Sequence, residues 1–390
     1  MTEAVIVSAV RTAVGTARKG TLANTSAEEL AIAVLRAAVD RAGIDPGTVD
    51  DVMLAESLYG GGAVARYAAI EAGLTTAGGM AINRHCAGSL TSVGLAAASI
   101  ISGMERIIVA GGVHSMSTAP ILRWRVPGTD EVQDFWMPPT HADRPDAPNV
   151  DMSITVGWNT AKELGITREE QDAWALRSHQ RAIAAIDAGH FQDEIVPVMA
   201  LAADGSRVEF KVDEHPRRDT TMEKLAGLKV VHPEIEGFSI TAGNASGMND
   251  AASAMVVTSS EIAAAEHLEV QARVRGWTAL GIDPARTGLV VPGVIHKLLS
   301  RGGVKQGDVA LWEINEAFAS VPIAAARILG MDEETINVSG SGCSLGHPVA
   351  ASGGRMIATL INDLKRRGGG FGVATMCAGG GQAGAVLIEV

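Results

Sequence analysis

Met80-Ala-Ile-Asn-Arg-His-Cys-Ala-Gly-Ser-Leu90 reads as a short strand over Met80–Asn83, a polar turn, and a small-residue helix from Leu90 to Gly103. A second stretch repeats the plan: Ile336-Asn337 leads into a Gly/Ser turn, then Cys343-Ser-Leu345 and another small-residue helix. Each unit sets a polar turn at a helix N-terminus, so the echo points to two duplicated halves. Around the first unit, Ser26-Ala-Glu-Glu29 is a capping box opening a helix through about Arg41. Asp51–Ala55 and Arg106–Ala110 read as strands. This β-α-β alternation predicts an α/β fold with a mostly parallel sheet covered on both faces. The rhythm breaks between about Ser115 and Gly247, where proline and charge rise and a second capping box, Thr167-Arg-Glu-Glu170, starts a long polar helix. That stretch reads as an insertion. Alternation resumes with strands near Ala252–Thr258, Val270–Ala279 and Ala310–Ile314, helices near Ile295–Arg301 and Asn315–Leu329, and two strands after Gly369. The expected division is 1–115 and 248–268 for the first half, 116–247 for the insertion, and 269–390 for the second half.

Composition narrows the function. The 390 residues, 47% of them hydrophobic, are enough for more than one core. A net charge of −12 argues against non-specific binding to nucleic acid or anionic membranes, though a small anionic ligand needs only a local basic patch. Glu3 and the strand-like Ala4–Val10 leave no signal peptide in view, and no membrane span is expected. The three cysteines read as reduced thiols, and a cytoplasmic enzyme is the expectation.

Four segments could carry chemistry. Cys86 lies where a helix dipole favours thiolate, although a free cysteine fits a small buried hydrophobe equally well. In Ser339-Gly-Ser-Gly-Cys-Ser-Leu-Gly-His-Pro348 the glycines expose backbone N–H groups, and Pro348 suits a first helical position, which would hold His347 at the mouth of the turn. A histidine there is structural unless it can approach a thiol and take its proton. Thr375-Met-Cys-Ala-Gly-Gly-Gly-Gln-Ala-Gly384 is a Gly-rich hairpin that sets Cys377 among bare amides able to form an oxyanion hole. Asn315 in Asn315-Glu-Ala-Phe-Ala319 reads as a helix cap. No HExxH or CxxC pattern occurs, so no metal site is expected.

Taken together, Cys86, Asn315–Phe318, Gly346-His347-Pro348 and Cys377–Gly381 resemble the thiolase family in order and spacing. The likeness extends through Arg11-Thr12, Ala110-Gly-Gly112, Glu194–Val198, Asp213-Glu-His-Pro-Arg217 and Thr241–Asp250, so it covers essentially the whole chain. The resemblance implies two similar α/β halves in five α-β-α-β-α layers, with a loop domain inserted in the first. It also implies roles. Cys86 would take the acyl group, and His347 would activate it. His347 and a water held by Asn315 would stabilise the enolate of acetyl-CoA, and Cys377 would move the α-proton. The N–H groups of Cys86 and Gly379 would hold the tetrahedral oxyanion. Arg217 and Ser246 resemble coenzyme A contacts, Phe318 and Met152 resemble tunnel lining, and Thr287 matches an acyl-pocket position. The reaction implied is reversible thiolysis of 3-ketoacyl-CoA, of the kind used in fatty-acid β-oxidation. It needs no tightly bound cofactor, coenzyme A being substrate or product, and the family implies a homodimer or homotetramer.

The sequence departs from the family in places. Gly88-Ser89 inverts a common Ser-Gly pair, and Glu56–Arg66 is shorter than the segment that commonly helps form the dimer contact. Asp151-Met152 replaces His-Met, and Thr287-Gly-Leu-Val-Val291 replaces Met-Gly-x-Gly-Pro, which predicts room for a larger or branched acyl chain. Cys343 stands where many members have an aliphatic residue or alanine. A β-ketoacyl synthase is the alternative enzyme, but it has no need for Cys377. A non-catalytic acyl-CoA-binding protein would be expected to lack one of Cys86, His347 and Cys377.

Overall fold

The computed structural model describes residues 2–57, 59, 63–134 and 136–390. Its centre is the strand Ala4–Thr12, all nine residues of which are buried. Val5, Val7 and Val10 face one hydrophobic core, and Ala4, Ile6 and Ala9 face another. A sheet buried on both faces must lie between helical layers.

Among the described residues the main sheet runs Met80–Ile82, Asp51–Ala55, Ile107–Ser115, Asn249–Ser259, Ala4–Thr12, Ala272–Gly281, Gln382–Glu389, Phe371–Ala378, Val309–Ile314. It is mixed rather than mostly parallel. Its first three strands are parallel and so are its last two, but every pairing between them is antiparallel. The alternation of strands and helices is real. What breaks the parallel expectation is that the last strand of each half inserts beside the first, in the opposite sense.

The halves repeat. Outside Val309–Ile314, Ile336 makes a single parallel bridge to Trp312. Each half therefore reads third, second, fourth, fifth, first, with the same pattern of directions. Ile82-Asn83 and Ile336-Asn337 occupy equivalent third places, which is the physical origin of the sequence echo. The helices that follow, Gly88–Ser102 and Ser352–Arg367, share the core between the halves. They meet closely at their N-termini, where Gly354 N–H donates to Ser89 Oγ at 3.0 Å. A Cβ on Gly353 would stand 2.7 Å from the Leu90 backbone nitrogen, so only glycine permits this approach.

The outer helix Ala27–Ala42 begins with both bonds of its capping box, Ser26 to Glu29 and back, at 3.1 and 3.0 Å. It buries Leu30, Ala31, Val34, Leu35 and Ala38 against the first half. Across the molecule, Val290–Gly302 and Ser320–Leu329 cover the second half. The capped polar helix is Arg168–Asp187. The segment between the strands of the first half is anchored by Arg11, whose buried guanidinium bonds Glu194 at 2.6 Å and Asp213 at 2.7 Å.

The stretch His85–Ser102 is long and apolar enough, by length and composition, to cross a membrane, which the sequence reading did not expect. Most of it is buried between the two halves, and burial on several sides explains its all-round apolarity. Residues 58 and 60–62 of the shortened Glu56–Arg66 stretch lie outside the described residues.

Candidate active site

Three adjacent parallel strands end at Ala55, Ile82 and Ser115, and the turn after the edge strand Met80–Ile82, His85–Ala87, carries Cys86. His85 takes a left-handed φ of 46°, and its N–H donates to Asn83 Oδ1 at 3.0 Å. Gly88 follows because a Cβ there would stand 2.7 Å from that of Ala55. Cys86 is the only one of the three cysteines that is not fully buried. Desolvation nevertheless pushes its thiol up to about 11, opposed by hydrogen bonds from the N–H of Gly379 and from its own N–H. With its thiol raised by burial, Cys86 rests mainly as a thiol in the free enzyme.

Gly379 belongs to the turn between Phe371–Ala378 and Gln382–Glu389. Gly380 and Gly381 take φ values of 82° and 72°. Cys377, two residues earlier, is buried, and its thiol is raised first by desolvation and then by the nearness of Cys86. The turn is held from outside. Ile282 N–H donates to Gly381 O at 2.7 Å, and Gly381 N–H donates to Thr287 Oγ1 at 3.0 Å. Thr287 Oγ1 also donates to Pro284 O at 2.6 Å, and the side chain is fully buried. Thr287 is thus a strut under the glycine turn. Thr287→Val should leave the Gly381 donor unpaired and cost about 1–3 kcal/mol of stability. Urea denaturation measures this, and an unchanged midpoint would mean that the turn does not depend on Thr287.

His347 follows Gly346, whose φ of 96° brings it against Asn249. Pro348 does not begin the helix, which starts at Ser352. Instead its carbonyl accepts the N–H groups of Ala351 and Ser352, both at 2.9 Å. Gly112 lets the Ile107–Ser115 strand press on this turn, since a Cβ there would lie 2.1 Å from Ala350 O. His347 Nδ1 lies 2.6 Å from Ser352 Oγ, whereas Nε2 is buried with no hydrogen-bond partner among the described residues. Desolvation, then His114 and Arg355, push the imidazole down to about 3, so it rests neutral.

Asn315 is not a helix cap, because the helix begins at Ser320. Its N–H donates to Thr375 O at 3.0 Å, two residues before Cys377, and its side-chain oxygen lies near Gly342 in the loop leading to His347. Both polar atoms of that side chain are buried without partners among the described residues. Buried amides are almost always paired, so an unpaired one beside a reactive centre marks a group reserved for something that binds. Its neighbour Glu316, which the sequence reading passed over, accepts from Trp174, Ser178, Asn337 and the Cys343 N–H, at 2.8, 2.6, 2.8 and 3.1 Å. This carboxylate ties the insertion to the catalytic loops.

A cleft of ≈ 400 Å³ is lined by Arg217, His179, His215 and Lys224, with Cys343 among its walls. Cys343 lies 3.6 Å from Glu316 O, so the cleft leads toward Asn315. Arg217 is exposed there, and its N–H donates to His179 Nδ1 at 3.1 Å. Ser246 is half-buried with its N–H on Ala317 O at 2.9 Å. Phe318 is buried against Gly157, where a Cβ would stand 2.8 Å from its ring, and Met152 packs on the same cluster. His179 and Lys224 escaped the sequence reading because nothing local links them to Arg217.

Two thiols, an unpaired imidazole nitrogen, an unpaired amide and a backbone N–H on one thiol suit acyl transfer to sulfur with proton transfer beside it. Residues 4–261 match the thiolase N-terminal domain and residues 268–390 the thiolase C-terminal domain. The chain belongs to the thiolase family. Acetyl-CoA acetyltransferases of Escherichia coli K12 and Pseudomonas aeruginosa are each 40% identical to this thiolase, over 100% of this chain and 99% of theirs. The crystal structure of the Bacillus anthracis acetyl-CoA acetyltransferase superposes with a TM-score of 0.91 at 40% identity, over 100% of this chain and 99% of that one. Human mitochondrial 3-ketoacyl-CoA thiolase does so with a TM-score of 0.90 at 33% identity and the same coverage. This chain is accordingly an acyltransferase with thiolase activity.

Proposed function

We propose that this thiolase cleaves and forms 3-ketoacyl-CoA by a ping-pong reaction through acyl-Cys86. The observation that carries the reading is that the least buried cysteine receives the Gly379 N–H and lies beside the second thiol, Cys377. His347 Nε2 takes the Cys86 proton as sulfur attacks the thioester carbonyl. The N–H groups of Cys86 and Gly379 hold the oxyanion. In the second half-reaction Cys377 moves the α-proton of acetyl-CoA, and His347 with an Asn315-held water stabilises the enolate. Coenzyme A is substrate or product, and no tightly bound cofactor is needed. Arg217 and Ser246 would contact it, with Phe318 and Met152 along its path.

The physiological setting we favour is thiolysis in fatty-acid breakdown, by a homo-oligomer in the cytoplasm. The Thr287 hydroxyl is committed to Pro284 and Gly381, and a preference for a larger or branched acyl chain rests on the smaller side chain there and on Val290-Val291. Thiolysis kinetics on acetoacetyl-CoA, a C8 3-ketoacyl-CoA and an α-methyl-branched one test the function and rank the substrates. No cleavage of any of them would refute the proposal.

Asn315→Ala and His347→Ala should each lower turnover by roughly 100- to 1000-fold, as loss of an oxyanion-hole donor typically does. Only His347→Ala should also slow acylation of Cys86. Equal acylation defects in the two variants would make Asn315 merely structural.

A further inference from the structure

The backbone of His347 is held on both sides of the ring it presents. Its N–H donates to Asn249 Oδ1 at 3.0 Å, and Asn249 Nδ2 in turn donates to Gly15 O at 3.0 Å. The ring has two nitrogens to account for. Nε2 has no partner among the described residues, and Nδ1 faces Ser352 Oγ at 2.6 Å. Ser352 is fully buried, and its Oγ lies 2.9 Å from Pro348 O. Pro348 O also accepts the N–H groups of Ala351 and Ser352, and the Ser352 hydroxyl, four residues on, is placed to add its hydrogen to that carbonyl. A hydroxyl has one hydrogen. With it on Pro348, Oγ can only accept from the ring. The opposite arrangement, with Ser352 donating to Nδ1, would put a hydrogen on Nε2 and leave that nitrogen nothing to offer a thiol.

We propose that Ser352 is a positioning residue for thiolase chemistry, holding His347 with its proton on Nδ1 and its lone pair on Nε2. The inference rests on reading His347 as the base for Cys86, and it orders the protons of the cycle. Cys86 gives its S–H proton to Nε2 as its sulfur bonds to the acyl carbon, and His347 becomes an imidazolium that still donates from Nδ1 to Ser352. The C–S bond to coenzyme A breaks, and the departing thiolate takes the proton of Cys377. The Cys377 thiolate then removes the α-proton of acetyl-CoA, while His347 Nε2–H holds the enolate oxygen. When the new C–C bond forms and the bond to Cys86 breaks, the Cys86 thiolate recovers its proton from Nε2. Every proton returns without the ring changing tautomer, so one hydroxyl serves both half-reactions.

The test measures the half-reactions separately. Acylation is read as the initial rate of acyl mass appearing on the Cys86 peptide. The second step is read as exchange of acetyl-CoA α-hydrogens in D₂O. In Ser352→Ala a buried Nδ1–H would have no acceptor, so the proton should move to Nε2. Acylation should then fall by about 100-fold or more, since a wrong histidine tautomer costs about 10⁴ in a serine protease. Exchange measured per acylated enzyme, after Cys86 has been acylated to completion, needs a hydrogen on Nε2 and should stay near the parent rate. Ser352→Thr keeps the hydroxyl and should restore acylation. Ser352→Cys, a poor acceptor of similar shape, should show the same split should the alanine variant fail to fold. Equal losses in both half-reactions, or undiminished acylation, would overturn the positioning role. His347→Ala distinguishes this from failure of the parent reading. If that variant acylates normally, His347 is not the base at all, and if it does not while Ser352→Ala shows no split, only the role of Ser352 fails.

Discussion

Cys86→Ser is expected to lose about 10⁴-fold or more of the thiolysis rate, the scale on which removal of a covalent nucleophile is felt. Acyl-CoA should leave its acyl mass on the Cys86 peptide of the parent enzyme. Cys343 and Cys377 are each only 2% exposed, whereas Cys86 keeps an opening and the Gly379 N–H. The pH dependence adds a second check. Burial raises the Cys86 thiol to about 11, so the thiolate fraction of the free enzyme rises about tenfold per pH unit below that value. Iodoacetamide alkylation of Cys86 should therefore still be climbing at pH 9. A plateau near neutrality would reveal a resting thiolate–imidazolium pair and refute the view that the proton moves only as substrate is attacked. Acyl mass on Cys343 or Cys377 would overturn the assignment of the nucleophile itself.

Cys377→Ala should acylate at Cys86 yet fail to exchange the α-hydrogens of acetyl-CoA. Overall condensation should fall by at least about 100-fold, the lower end for losing a general acid–base group. The argument is geometric. Cys377 is buried two residues before Gly379, and it lies close enough for Cys86 to raise its thiol further. A buried thiol beside the acyl-bearing sulfur can reach the carbon that attacks the acyl group, but has little access to an incoming thioester. Normal exchange in the variant would remove the acid–base role. Acylation should be slower, because the departing coenzyme A thiolate loses its proton donor, and only its complete loss would show that Cys377 is needed to build the site.

How much of this was legible in the chain depends on the distance between the residues involved. The capping boxes at Ser26 and Thr167 each bind atoms three residues apart, and both helices begin where those residues say. The strand–turn–helix around Cys86 and the hairpin after Cys377 are equally local. Strand direction was not legible. Ala4–Thr12 pairs with Asn249–Ser259 and Ala272–Gly281, partners far away in sequence, and those antiparallel contacts contradict the parallel sheet that local alternation suggests. Asn315 looked like a cap because cap residues and water-binding amides share one side chain. Only the helix start at Ser320 and the two unpaired atoms separate the readings.

Thr287 shows the same limit from the other side. In sequence it is a small residue where a larger one was expected, and small side chains suggest space. In the structure its hydroxyl supports Gly381, 94 positions away. The sequence by itself determined the repeated units, the residues able to do the chemistry and, through their order and spacing, the family they resemble. Backbone bonding within a few residues, side-chain chemistry and motif spacing need no tertiary context. Tertiary structure alone decided which nitrogen of His347 is free, that burial raises the Cys86 thiol, and that Glu316 ties the insertion to the catalytic loops. Those properties depend on desolvation and on hydrogen-bond partners brought together from distant parts of the chain, and neither exists until the two halves close around the site.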